Sequence, residues 1–179
     1  MTSALAIYRK ELLKWSERVN LIGPEARENL DQHIDEALAA AAILQPKGEV
    51  LDFGSGGGLP AIPMAIASPQ SRWHLVEADQ KKWAFLKHAV RECGLSAVVY
   101  GDRLDRALRR FPPDLQFSLV TSRAVGNPEE WVPSVAPRVS GRFALFQGMA
   151  DAPSFADDVQ VHSLPRGTSN YLVTFHVKH

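Results

Sequence analysis

Gly54, Gly56, Gly57 and Gly58 fill four of five consecutive positions between an apolar run, Val50-Leu51-Asp52-Phe53, and a second apolar series, Leu59, Ile62 and Ile66. The order reads as strand, tight turn, helix. Glycine in such a turn reaches backbone conformations closed to other residues and lets a ligand approach the main chain. The turn also aims the free N–H groups of the following helix at whatever it holds. Glu77 comes 19 residues after Gly58, at the end of a second strand-like run, Arg72-Trp73-His74-Leu75-Val76. Nucleotide-type folds place an acid about 20 residues on, where it accepts ribose hydroxyls. Either feature alone has a plainer reading, a strand–helix connection or a solvated carboxylate. Together they point to a nucleoside-bearing ligand.

The residues around and after the glycines separate the ligand classes. A phosphate-binding loop ends in Gly-Lys-Ser/Thr, and no lysine occurs between Lys47 and Lys81. A dinucleotide fold wants a third Gly or Ala three residues after the second, where this chain has Leu59. The pattern that fits is Asp52-x-Gly54-x-Gly56-x-Gly58. It resembles the first motif of S-adenosylmethionine (SAM)-dependent methyltransferases. The resemblance implies SAM as cofactor and Gly54, Ser55, Gly56, Gly58, Leu59, Glu77 and Ala78 among its contacts.

The rest of the chain must position these residues. Leu5, Tyr8, Leu12, Trp15 and Val19 step by three and four, which predicts an amphipathic helix. Arg9, Lys10, Lys14 and Arg18 give it a basic surface, a solvated face in the plain reading and a phosphate contact in the other. Asn20 to Pro24 breaks the helix, and a second is predicted from Glu25 to Leu44 with Leu30, Ile34, Leu38 and Ala41 inward. Beyond Glu77, helices are predicted over Gln80–Cys93, Asp102–Arg110 and Pro128–Pro137. Strands are predicted over Ala97–Gly101, Phe117–Ser122, Arg142–Gln147, Val159–Leu164 and Tyr171–Val177. Strands alternating with helices imply a mostly parallel, doubly wound α/β sheet. The last two strands, with no helix between them, imply an antiparallel C-terminal edge. This is the Rossmann-like layout of the SAM-dependent methyltransferase fold, here with two N-terminal helices. One domain is expected over residues 1–179, an N-terminal helical extension (1–45) on a catalytic α/β core (46–179).

Composition narrows the setting. Hydrophobic residues make up 45% of 179 and charged residues 22%, ordinary for a globular domain. Twenty basic and 20 acidic side chains cancel, which argues against indiscriminate nucleic-acid binding and leaves room for a local basic face. The single cysteine, Cys93, cannot form an internal disulfide and reads as a small core residue. Neither a signal peptide nor an apolar run of the ~18 residues of a membrane span is apparent, so a cytoplasmic monomer is expected. No His/Cys/carboxylate cluster has metal-ligand spacing, His176 and His179 lying at the tail.

In an open α/β sheet the site lies beyond the carboxyl ends of the strands. That gathers the glycine loop with Asp102–Leu104, Ser122–Gly126 and Gln147–Gly148. Methyl transfer from a sulfonium is an in-line displacement by a lone pair, so the protein chiefly aligns the reactants and matches their charge. Enzymes acting on exocyclic amines carry an Asn/Asp-Pro-Pro-aromatic turn after the fourth strand, where this chain has Ser122-Arg123-Ala124-Val125. Those acting on pyrimidine carbon five need a cysteine, and Cys93 is misplaced. A ring nitrogen such as guanine N7 already offers its lone pair and needs neither base nor nucleophile.

The chain resembles the RsmG (GidB) family, bacterial methyltransferases of guanine N7 in 16S ribosomal RNA. The resemblance runs from about Leu12 to Gly148. It is carried by Trp15–Leu21, by Gly58-Leu59-Pro60-Ala61-Ile62-Pro63, by Glu77 with Lys81, Lys82, Phe85 and Leu86, and by Ser122-Arg123-Ala124. It implies 16S rRNA or the small ribosomal subunit as partner. It also implies Arg123 and His33 as catalytic residues, with Arg123 contacting cofactor and substrate. Where the family has Arg-Ala-Glu after strand three, this chain has Asp102-Arg103-Leu104, so Arg103 and Leu104 would meet adenine through the main chain. The family's His-x-x-Asp-Ser becomes His33-Ile34-Asp35-Glu36-Ala37, and its Lys-Gly after strand five becomes Gln147-Gly148. Arg123 and Gln147 are expected to face one another as substrate-binding residues. The alternatives are a small-molecule methyltransferase on the same fold, favoured by neutral charge and Gln147, and a SAM-binding protein without turnover.

Overall fold

The computed structural model describes residues 3–123, 125–165 and 171–177. The seven strands are β1 (Gly48–Phe53), β2 (Ser71–Val76), β3 (Ala97–Tyr100), β4 (Phe117–Arg123), β5 (Val139–Gln147), β6 (Ala156–Ser163) and β7 (Tyr171–Val177). They form one sheet in the order β3-β2-β1-β4-β5-β7-β6. The first five are parallel, and β7 is antiparallel to both neighbours, as the closing strands without a helix implied. The chain runs outward from β1 to β3 and returns to β4, so the strand order reverses between β1 and β4. Ligands bind at such a reversal because the connections leave in opposite directions and open a crevice.

Helices cover both faces. They are α1 (Ser3–Ser16), α2 (Pro24–Glu28), α3 (Leu30–Leu44), α4 (Ala61–Ala67), α5 (Gln80–Glu92), α6 (Leu104–Arg110) and α7 (Pro128–Val135). Alternate residues of each strand feed two separate cores. Val50, Trp73, Leu75 and Leu119 pack with Tyr8, Leu12, Ile34, Ile62, Phe85 and Leu86. Leu51, Val76, Val120 and Phe143 pack with Leu104, Ala107, Val132 and Val135. The inner strands are therefore apolar on both sides, as parallel strands between helices must be. Leu5, Tyr8 and Leu12 of α1 belong to the first core, so the N-terminal helices share the packing of the sheet.

The helix predicted over Glu25–Leu44 is two. Asn29 interrupts it, its main-chain N–H and its Nδ2 both donating to Glu25 O at 3.0 and 3.1 Å. Asparagine side chains offer the backbone such local bonds in place of a continuing helix. The restart at Leu30 shows the sheet Leu30, His33, Ile34, Glu36, Ala37, Ala40 and Ala41, while Leu38 is only partly buried. Two polar residues thus lie on the inner arc. Boundaries shift elsewhere by a few residues: β1 and β5 begin earlier, the helix after the glycine loop starts at Ala61, and β6 starts at Ala156. Cys93 follows α5, half-buried, with its thiol pushed up to about 11 by burial, which leaves it inert.

β5 passes close to β4 where the register shifts between Phe117 and Leu119. A β-carbon on Gly141 would lie 1.8 Å from Ser118 O, a backbone atom with nowhere to go. Gly141→Ala is expected to cost about 3 kcal/mol by forcing the two strands apart. Urea denaturation should show a lower midpoint with an unchanged m-value.

Candidate active site

The turn after β1 is stitched to β2 and closed on itself. Gly54 N–H and Ser55 N–H both donate to Val76 O, at 3.0 and 3.2 Å, and Gly58 N–H donates to Ser55 O at 2.7 Å. Gly54 has φ +70°, and a β-carbon there would lie 2.2 Å from Val125 Cγ2, so it is required by conformation and by packing. Gly56 has φ +55° and only Gly54 O, 3.8 Å away, near its missing β-carbon, so its main chain faces open space. Gly58 is buried against Ile62. It shapes the turn and does not line the cavity, contrary to the sequence expectation.

Glu77 stands one residue beyond β2 and braces this turn. Its Oε2 accepts the Gly56 N–H and its Oε1 the Asp79 N–H, each at 2.8 Å. Asp79 in turn caps α5, its carboxylate accepting the Lys81 and Lys82 N–H groups. From the opposite side, the Tyr8 hydroxyl donates to Gly57 O at 2.8 Å and holds α1 on the loop. Burial raises the Tyr8 phenol well above its ordinary pKa, so it remains a donor.

Three clefts follow the carboxyl ends of the strands. One of about 550 Å³ is walled by Gly54–Gly57, Leu59, Glu77, Lys82, Arg123, His33 and the Leu21–Ile22 segment. A second, about 560 Å³, opens on the other side of Glu77 between Phe53, Ala78, Arg103, Leu104 and Trp131. A third, about 300 Å³, lies at the ends of β4 and β5 between Arg123, Trp131, Gln147 and Gly148. Arg123, Val125 and Gly126 divide the first cleft from the third, and Trp131 divides the second from the third. Gly54, Ser55, Gly56, Leu59, Glu77, His33 and Arg123 are thus brought together. Ala78, Arg103 and Leu104 gather next door.

Arg123 and Gln147 line the same third cleft, but not as a directly paired couple. The register pairs Arg123 with Phe146, one residue short of Gln147. The pleat therefore sends Arg123 toward the face of Leu119 and Phe146, and Gln147 toward that of Phe143 and Leu145. Gln147 Nε2 donates to Asp151 O in the loop beyond β5. Arg123 reaches α3 instead: its Nη2 donates to His33 Nδ1 at 2.6 Å and to Glu36 Oε2 at 3.1 Å. A guanidinium can only donate, so His33 receives it on the Nδ1 lone pair and carries its proton on Nε2. The 3.3 Å approach of His33 Nδ1 to Glu36 Oε2 is then two acceptors sharing one cation. Glu36 has no solvent exposure and the Arg123 side chain only 12%. Burial lowers the Arg123 pKa and the Glu36 charge opposes that. Ala124, the third residue of the Ser-Arg-Ala motif, lies outside the described residues.

Asp52 is the other buried acid among the described residues. It accepts from Thr121 Oγ1 at 2.6 Å. Burial raises its pKa to about 6; the Thr121 and Ser55 hydrogen bonds oppose the shift, and the Glu77 charge adds to it. Among the described residues no group of three or more His, Cys, Asp or Glu side chains could hold a metal ion.

Sheet order, glycine loop and bracing acid give this chain the Rossmann-like fold of the SAM-dependent methyltransferases. The chain belongs to the rRNA small subunit methyltransferase G (GidB) family, which matches residues 1–176. Ribosomal RNA small subunit methyltransferase G of Wolinella succinogenes is 34% identical over 144 residues, 78% of this chain and 72% of that one. The protein of the same name from Granulibacter bethesdensis is 40% identical over 104 residues, 57% of this chain and about half (48%) of the relative. The O-methyltransferase TomG of Streptomyces achromogenes, solved with SAM, superposes with a TM-score of 0.65 at 14% identity, over 99% of this chain and 91% of that one.

Glu36, Lys82, Trp131 and Tyr8 line or brace the site, and none was expected there from the sequence. Glu36 carried a signal, an acid three residues after His33 and so on the same helical arc. Lys82 was marked by the Glu77–Leu86 block of the family resemblance, and nothing local marked Trp131 or Tyr8 as near the site.

Removing the cation of a buried pair strands its partner. Arg123→Ala is expected to cost about 3–5 kcal/mol and Arg123→Lys less, both read by urea denaturation. A raised carboxyl pKa stabilises the fold below the unfolded value of 3.8, and that stability is lost as pH rises through about 6. Between about pH 5 and about pH 8 the ligand-free protein should lose about 1 kcal/mol through Asp52. Asp52→Asn should remove that slope, seen as a change in the stability difference between the two pH values.

Proposed function

We propose that the chain is a SAM-dependent methyltransferase that methylates N7 of a guanine in small-subunit ribosomal RNA, working in the cytoplasm as a single domain. Family membership supports the reaction class. The observation that carries the cofactor reading is Glu77. Both its oxygens are fixed by main-chain N–H groups, each with a lone pair to spare, in a wall of the first cleft and next to Ala78 of the second. A vicinal ribose diol fits such an acceptor. Ala78, Arg103 and Leu104 offer a neighbouring cleft for adenine. The open main chain at Gly56, with Gly54, Ser55 and Leu59, offers the other cleft to the methionine portion.

When bound, SAM supplies an electrophilic methyl on a sulfonium. The chain's own residues align and screen. Guanine N7 presents a lone pair and loses no proton, so a site without a general base suffices. The nearby carboxylates of Asp52, Glu77 and Glu36 would suit a site that holds a cationic ligand. Arg123, held by Glu36 and His33, is a fixed donor where β4 ends, suited to a purine oxygen or a phosphate. The small-molecule alternative keeps one supporting observation: Gln147 lies beside Glu129 and Asp151, with Arg123 as the cation in the cleft it shares.

Glu77→Ala should weaken SAM binding by about 1–3 kcal/mol in a calorimetric titration, with NAD failing to compete in the wild type. Radiolabelled methyl transfer to small subunits and to stripped 16S RNA, with a metabolite extract alongside, tests the substrate. Label confined to small molecules would replace the RNA reading.

A further inference from the structure

The Trp15–Leu21 stretch carries part of the family resemblance, yet nothing in the cofactor site uses its first half. It forms the end of α1 and the turn beyond it. Arg27 Nη2 donates to Ser16 O and holds that end down, while Val19 N–H returns to Trp15 O. A cavity of about 320 Å³ opens there, lined by Lys14, Trp15, Glu17, Arg18 and Val19. Trp15 is part-exposed and backed by aromatic rings, Phe85 edge-on at 5.7 Å and His88 tilted at 5.3 Å. Lys14 lies in the last turn of α1 and Arg18 in the turn beyond it; both are exposed and form no salt bridge among the described residues. Of the acids nearby, Glu11 is occupied by His88 Nε2 at 2.7 Å, leaving Glu17.

Two residues beyond Val19, Leu21 and Ile22 already wall the loop cavity, whose rim includes Lys82. The cations and the indole therefore continue the rim of the cofactor site. The clefts around Gln147 and Trp131 carry more acids than cations, with Asp105, Glu129, Glu130 and Asp151 against Arg103 and Arg123. A polyanion meets attraction on one side and repulsion on the other. An aromatic face flanked by cations is the combination that holds single-stranded nucleic acid, bases stacking while phosphates meet the charges.

We propose that the end of α1, with Lys14, Trp15 and Arg18, and Lys82 at the cavity rim, is the surface that seats a single-stranded stretch of the RNA substrate. The proposal rests on the RNA reading above and adds the direction from which the strand enters. It also explains why a chain of zero net charge and a glutamine at position 147 retains a route for RNA: the attraction is local and lies on the other side of the cleft.

The test measures binding of a short fluorescent single-stranded RNA at low and near-physiological salt, with methyl transfer to stripped 16S RNA and SAM titration alongside. Lys14→Ala/Arg18→Ala should bind RNA about tenfold more weakly at low salt. Its log–log salt slope should be shallower by about 1.4, two single-strand phosphate contacts, with SAM affinity unchanged. Trp15→Leu keeps an apolar side chain on Phe85 and should lose affinity about tenfold with the salt slope unchanged. Wild-type affinity and slope in the charge variant would overturn the proposal, even if 16S RNA is methylated. The expected losses without methylation of 16S RNA by the wild type would leave the surface standing and remove the substrate reading.

Discussion

Burying a carboxyl group is costly unless a cation and hydrogen bonds meet it, and Glu36 has none of its side-chain surface exposed. Arg123 supplies the charge from the end of β4, and His33 takes a second bond from the same nitrogen. This one contact ties α3 to the strand end at the topological switch of the sheet. It also fixes Arg123 where a ligand would meet it, since a side chain anchored at one nitrogen has few rotamers left. The N-terminal helices are thus part of the active-site wall: His33, Leu21 and Ile22 line the cavity, and Tyr8 holds Gly57.

The glycine loop depends on the same economy of fixed donors. Its turn is held from β2 by Val76 O, from beyond β2 by Glu77, and from α1 by Tyr8. Only Gly56 turns its main chain to open space; Gly54 and Gly58 are glycines because Val125 and Ile62 leave no room. The loop's composition therefore reports packing as much as ligand approach. Asp52 beneath it is kept largely dry, which makes the site responsive to a cationic ligand that favours its ionised form.

The distribution of charge around the clefts explains how a neutral chain can discriminate. Lys14, Arg18 and Lys82, which form no salt bridge among the described residues, lie on the α1 and α5 side, and acids outnumber cations on the α7 and β5 side. A net charge of zero says nothing about such a division, because steering follows the local field and not the sum.

Much of this was legible in the residues. Strand–helix alternation determined the α/β class, the missing helix before Tyr171 determined the antiparallel edge, and the glycine–acid spacing picked out the turn and Glu77. Each is local, written in periods of two and 3.6 or in a fixed offset, so order along the chain suffices. The break at Asn29 was missed because Asn competes weakly with a helix and the apolar rhythm on either side hid it. Where side chains point at strand ends was decided by register. Arg123 and Gln147 end neighbouring strands and line one cleft, yet a one-residue offset sends their side chains toward opposite faces of the sheet. The pairing of Arg123 with Glu36 and the hold of Tyr8 on Gly57 span 87 and 49 residues. Only packing α1 and α3 onto the sheet brings those groups together, because burial, which no local pattern states, is what forces a charge to find its partner.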